Sequence, residues 1–201
     1  KSLSGVLASR VLKSKTTLVL CPNSVVYQWG EKVKEYFPNT DVVIGNSVFS
    51  VTKASKRPQF LILNFDKLNQ ISSSKNIQKI KKLKIDFIII DEIQYAKASL
   101  PKKTSKKPKI SRRQNIDTLI MNAIKHNPKV RRLGMTATPI VNTLKEGRSI
   151  LELLSGKKHD HIKTDDRFFF NGVMMYEQLT NISIRQRHGQ KFTINTINVD
   201  V

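Results

Sequence analysis

Residues 86–94 read DFIIIDEIQ: a four-residue apolar run, 87–90, leads straight into two adjacent carboxylates, Asp91 and Glu92. A short continuous apolar run fits a strand buried on both faces, as in a parallel sheet covered by helices. Sheets of that kind bind ligands outside the carboxyl ends of their strands, which is where Asp91 and Glu92 would stand. A charge taken out of water needs a partner. The pair therefore requires a cation or a chemical role, unless it simply ends the strand in a solvated acidic turn.

The flanking sequence repeats the pattern. Upstream, Leu3, Val6, Leu7, Val11 and Leu12 recur at helical spacing and lead into TLVLC at 17–21, a short strand closed by Pro22. Asn23 and Ser24 are suited to cap a second helix with Val25, Trp29, Val33, Tyr36 and Phe37 on one face, stopped by Pro38. Residues 41–44 and 60–63 read as further strands, while Ile77, Ile80 and Leu83 suggest a helix that delivers the chain into Phe87. Downstream, Ile116, Leu119, Ile120 and Ala123 mark a helix ending near Asn127-Pro128. Residues 129–135 then form a strand, and Leu144, Ile150, Leu151 and Leu154 another helix. Alternating buried strands and amphipathic helices predict an α/β fold, a mainly parallel sheet with helices on both faces. Phe168, Phe169, Phe170, Met174, Met175 and Tyr176 read as helix or irregular chain filling core. Residues 191–201 alternate like a strand with a bulge or turn at Asn195-Thr196.

Residues 97–113, KASLPKKTSKKPKISRR, break the alternation with eight basic residues, two prolines and no acid. They read as a loop, either an electrostatic tether or a solvated surface. The whole chain carries 36 Lys and Arg against 15 Asp and Glu, a net charge of +21, and such an excess implies a polyanionic partner, above all nucleic acid. At 201 residues and 39% hydrophobic content there is material for one substantial core, or one domain with an appendage. A single cysteine, Cys21, forbids an internal disulfide and fits a reducing compartment. No apolar run approaches the roughly 18 residues of a membrane span, and the first residues lack the pattern of a cleaved signal. The expectation is a soluble, intracellular chain. His159-Asp160-His161 has too few ligands for a zinc site, and Cys21 reads as a small buried residue rather than a nucleophile.

An acid at the end of a central strand has a specific use in nucleoside triphosphatases built on a phosphate-binding loop, where it holds the magnesium that bridges the β- and γ-phosphates. A neighbouring Glu can deprotonate the attacking water. Further motifs join the acidic pair in order. TLVLCPNSVVYQW at 17–29, FLILNFDKL at 60–68, DEIQ at 91–94 and GMTATPIVNTLKEGRSILELL at 134–154 resemble motifs Ia, Ib, the Walker B box and motif III of the first RecA-like lobe of superfamily-two helicases and translocases. Among these the Swi/Snf-type DNA translocases are the most similar, and the resemblance covers most of residues 1–156. Two positions depart from the pattern: Gln94 stands where the family more often has His, and Ala137 where many Swi/Snf-type members have Gly. Other DNA or RNA helicases and restriction-type translocases share the general plan.

The resemblance implies ATP and Mg2+ as cofactors, with Asp91 holding the metal and Glu92 activating water. Lys1 and Ser2 look like the last two residues of a phosphate-binding loop, the Lys on the phosphates and the hydroxyl on magnesium. Gln94, Thr136 and Thr138 would couple the nucleotide site to a second RecA-like lobe, which the chain is too short to contain. On this view residues 1–180 form the first lobe and 181–201 lead into the second, and the fragment alone hydrolyses ATP slowly or not at all because the second lobe brings the arginine finger. Pro22, Asn23, Ser24, Asn64 and Phe65 match the phosphate-backbone contacts of motifs Ia and Ib, to which Lys102, Lys103, Lys106 and Lys107 of the basic run add. Trp29, on an apolar helix face, reads as core. The implied function is a motor on duplex DNA, with a strand-separating DNA or RNA helicase and a non-hydrolysing nucleic-acid scaffold as alternatives.

Overall fold

The computed structural model describes residues 2–68, 73–80, 83–96, 112–137 and 143–183. Among the described residues five strands, β1 (Thr16–Cys21), β2 (Asp41–Ile44), β3 (Gln59–Asn64), β4 (Phe87–Asp91) and β5 (Arg131–Met135), alternate with helices α1 (Ser2–Val11), α2 (Val26–Tyr36), α3 (Ser73–Ile80) and α4 (Arg112–His126). Two more helices follow, α5 (Leu144–Ser155) and α6 (Phe169–Asn181). Every strand pair is parallel and the order is β2-β3-β1-β4-β5. The α/β class expected from the alternation is therefore the observed one, a parallel sheet with helices packed on both faces.

Strand parity decides which helix meets which residue, because successive side chains point to opposite faces. Val19 and Cys21 of β1, Phe60 and Ile62 of β3, and Phe87 and Ile89 of β4 pack with Val6 of α1 and Val26, Trp29 and Val33 of α2. Leu18, Leu20, Leu61, Leu63, Ile88 and Ile90 face the other way, onto α3, α4 and α5 through Ile77, Ile116, Leu119 and Ile150. Asp91 shares its parity with Phe87 and Ile89. It therefore turns toward α1 and α2.

The amino end of β4 is anchored by a different aspartate. Asp86 Oδ2 accepts from the backbone N–H groups of Lys15 and Thr16, each at 3.0 Å, and its Oδ1 accepts from Asn127 Nδ2 at 3.2 Å. These bonds tie the starts of β1 and β4 to the end of α4, and both carboxylate oxygens are used.

Three expectations change in detail. Residues 23–25 form a 3-10 turn, and Val25 rather than Asn23 or Ser24 precedes α2, with no side-chain cap; Asn23 instead accepts a hydrogen bond from Asn64. Arg112 and Arg113 open α4 rather than ending the basic loop. Arg113 is fixed there by Asp117 at 2.9 Å and by the backbone oxygen of Ser149 at 2.9 Å. Phe168, Phe169 and Phe170 do not fill core: they are exposed where α6 begins. A helix buries one stripe, and α6 buries Met175 and Leu179, four apart, against Leu151 and Ile162. Residues 97–111 and 191–201, the rest of the basic run and the expected last strand, lie outside the described residues. Among the described residues no helix is long and apolar enough to cross a membrane.

Candidate active site

Asp91 ends β4 at the carboxyl edge of the sheet and is 7% exposed. Its two oxygens are unlike. Oδ2 accepts a hydrogen bond from the indole Nε1 of Trp29 at 3.0 Å, whereas Oδ1 is buried with no hydrogen-bond partner. Buried polar atoms are almost always paired, so a carboxylate oxygen left open at a strand end asks for a ligand. Hard divalent cations take oxygen donors of this kind, and the residues present therefore fit magnesium. Asp86 differs, since its oxygens are both consumed by protein donors while one oxygen of Asp91 is left open.

Cys21, at the end of the neighbouring β1, is fully buried, and its sulfur lies 3.8 Å from the carbonyl oxygen of Leu63. Burial first, and the negative charge of Asp91 second, push its thiol from 9.0 up to about 12. The folded state thus holds this proton more tightly than the unfolded chain. Its contribution to stability is present below pH 9.0 and is lost as the pH rises toward about 12. Because the thiolate is the reactive form, Cys21 should resist a thiol-specific reagent at pH 8 in the native chain and react only when denaturant is added. Rapid native labelling would contradict the buried placement.

The backbone at Glu92 has φ of 50°, the left-handed region that costs a side chain with Cβ roughly 1–2 kcal/mol. This turn ends the strand and swings Glu92 out of the sheet's alternation. Gln94, in the 3-10 turn Ile93–Ala96, then bridges two elements. Its Nε2 donates to Glu92 Oε2 at 2.8 Å, and its Oε1 accepts from Thr136 Oγ1 at 2.7 Å. Glu92 and Gln94 of DEIQ and Thr136 of the later GMTATP segment thus form one hydrogen-bonded line from the end of β4 to the end of β5. Thr138 lies outside the described residues.

Helix α1 runs back along the sheet from its carboxyl edge. Ser9 Oγ bonds to Thr17 Oγ1 at 2.8 Å near the amino edge, and a Cβ built on Gly5 would lie 3.3 Å from Ile89 Cδ1. Three further helical residues rise about 4.5 Å, which brings Ser2 to about the level of Ile90 and Asp91. Lys1 lies outside the described residues.

The motif Ia and Ib candidates meet at the carboxyl ends of β1 and β3. Cys21 and Asn64 are register partners, so Asn23 and Asn64 come within hydrogen-bonding distance, with Ser24 exposed beside them and Pro22 half-buried. Asn64 Oδ1 also accepts the backbone N–H of Lys67 at 3.1 Å. Phe65 is buried, which leaves its backbone rather than its ring for a phosphate. Two further side chains gather here: exposed Tyr95, whose ring centroid is 6.3 Å from that of Phe65, and Arg112, whose guanidinium lies 5.7 Å over the Phe65 ring. No local spacing signals them, because they reach Phe65 from the 3-10 turn Ile93–Ala96 and from α4, some 30 and 47 positions along the chain. Lys102, Lys103, Lys106 and Lys107 lie outside the described residues.

Residues 3–141 match the model of a protein family described as Type III restriction enzyme, res subunit. Among solved structures the chain is similar to the Sulfolobus solfataricus SWI2/SNF2 ATPase core in complex with dsDNA, at 20% identity and a TM-score of 0.42. That similarity covers 76% of this chain and 27% of that one. No curated protein matches the chain.

Proposed function

The chain belongs to the helicase family described as Type III restriction enzyme, res subunit, and from that premise we propose that it is the ATP-binding first lobe of a DNA-dependent motor that moves along duplex DNA, as Swi/Snf-type translocases do. The observation that carries the reading is the pairing of Asp91, with one buried oxygen held by Trp29 and the other open, with Glu92 fixed by Gln94.

In this reading Asp91 Oδ1 and the Ser2 hydroxyl hold magnesium, and Lys1 meets the phosphates. When bound, magnesium would supply charge neutralisation at the phosphates. Glu92 accepts the proton of the attacking water as its oxygen bonds to the γ-phosphorus and the bond to the ADP oxygen breaks. The line from Glu92 through Gln94 to Thr136 gives the reaction a mechanical outlet. A change at the γ-phosphate that moves Glu92 also disturbs Thr136, and Thr138 would carry the signal to a second RecA-like lobe. Pro22, Asn23, Ser24, Asn64 and the Phe65 backbone would hold the DNA backbone without reading sequence.

The test is ATP hydrolysis by a protein that includes the second lobe, with duplex DNA, single-stranded DNA and RNA each supplied in turn. Strongest stimulation by duplex is expected. Stimulation by single strands or RNA instead would favour a strand-separating helicase, and tight binding without hydrolysis would favour a scaffold. The basic run carries its own expectation: reversing Lys102, Lys103, Lys106 and Lys107 to Glu should weaken duplex binding and flatten its dependence on salt. Each phosphate contact contributes about 0.9 to the log–log slope, so loss of four would reduce it by roughly 3 to 4. An unchanged slope would make the run a solvated surface.

A further inference from the structure

We infer that Trp29 is a positioning residue for the metal-holding carboxylate, and that its ring fixes the spacing between Asp91 and the helix that carries Ser2. The inference rests on the reading of Asp91 as the metal's carboxylate. Strand parity turns Asp91 toward α1 and α2, and α2 brings Trp29 under it, fully buried. A phenylalanine would fill most of that space. What the indole adds is one N–H, and it goes to Asp91 Oδ2 at 3.0 Å.

That bond makes the two carboxylate oxygens inequivalent. With Oδ2 engaged, the carboxylate plane cannot turn without losing a buried hydrogen bond, and Oδ1, which has no donor, is held in one direction. The opposite edge of the same ring supports α1. A Cβ on Gly5 would sit 2.7 Å from Trp29 Cη2 and 3.4 Å from Cζ3, so glycine at position 5 lets the helix backbone lie directly on the indole. Ser2 stands less than one turn before Gly5 in that helix. One rigid ring therefore touches both elements that hold magnesium in the proposed site, with its polar edge on the acid and its apolar edge on the helix.

The chain has one tryptophan, and its indole N–H gives one resonance in a nitrogen-correlated proton spectrum. Mn2+ supplied with ADP to the isotope-labelled chain should broaden that resonance along with the amides around Asp91, and Asp91→Asn should abolish the broadening. Absence of broadening in the unmodified chain would remove the metal from Asp91 and overturn the reading together with the inference. The positioning role is read separately, by titrating free Mn2+ by electron paramagnetic resonance. Replacing Trp29 with 3-benzothienylalanine, which keeps the ring shape but has sulfur in place of N–H, should weaken Mn2+ binding roughly tenfold or more, the usual cost of losing a group that orients a metal ligand. Trp29→Phe should act in the same direction, with circular dichroism reporting whether the fold is kept. If the sulfur analogue binds Mn2+ as tightly as the natural chain while Asp91→Asn still abolishes binding, Trp29 is core packing alone, and the reading of Asp91 stands without it.

Discussion

Glu92→Gln is expected to lower the proposed nucleic-acid-stimulated ATP hydrolysis by about a hundredfold or more, in a protein carrying both lobes, while nucleotide and DNA binding change little. The magnitude follows from the proposed role: a positioned general base contributes about 10²–10⁴ in rate, and an amide cannot take the proton. Binding is spared because Gln at this position still presents an oxygen to Gln94 Nε2, which now donates to Glu92 Oε2 at 2.8 Å. The Gln94 to Thr136 bond is not touched by the change. Steady-state hydrolysis with duplex DNA, alongside equilibrium binding of a fluorescent nucleotide, separates the two effects. Hydrolysis retained within a few-fold would make Glu92 a strand-ending residue and move the base elsewhere.

Asp86→Ala is the corresponding experiment at the other end of β4, and its effect is on folding. Three donors lose their acceptor at once, the backbone N–H groups of Lys15 and Thr16 and the side-chain amide of Asn127. Hydrogen bonds to a charged acceptor are worth about 1.5–3 kcal/mol each, with the low end appropriate to exposed ones. Lys15 is on the exposed side of the cluster, and Asn127 keeps its bond to the Ile85 carbonyl at 2.9 Å. A loss on the order of 3 kcal/mol is therefore expected, equivalent to a fall in Tm of roughly 6–12 °C for a chain of this size. Thermal unfolding followed by circular dichroism checks it. A shift under about 2 °C would mean that water replaces the carboxylate without cost and that β1 and β4 are held together by their ladder alone. Asp91→Ala should cost less, since it orphans one donor, the Trp29 indole N–H, while the other oxygen it removes had no protein partner.

The two aspartates show what the sequence makes legible and what it does not. The apolar run 87–90 announces a buried strand, and because parity is local, the face on which Asp91 emerges follows from it. Which acid is structural is not local. That depends on Lys15, Thr16 and Asn127, up to 71 positions from Asp86, meeting at the amino edge once the sheet is assembled. Trp29 illustrates the same limit: its helical spacing correctly places it on the core face of α2, but its bond to Asp91 spans 62 positions and depends on how α2 sits on the sheet. Gln94 and Thr136 could be marked only through the likeness of their motifs to known ones, and their contact across 42 positions became visible through the parallel pairing of β4 with β5. The three phenylalanines at 168–170 mislead for the opposite reason. Apolar composition says that burial would be favourable, while the stripe that α6 buries is chosen by α5.

The left-handed backbone at Glu92 sets folding and chemistry against each other at a single position. Glycine pays no Cβ penalty there, so a Glu92→Gly chain would fold more securely while losing the proposed base. A lineage selected only to stay folded would drift to glycine at 92, and one selected to hydrolyse must keep correcting that drift. The residue to watch in distant copies of this chain is therefore one whose loss would raise the melting temperature.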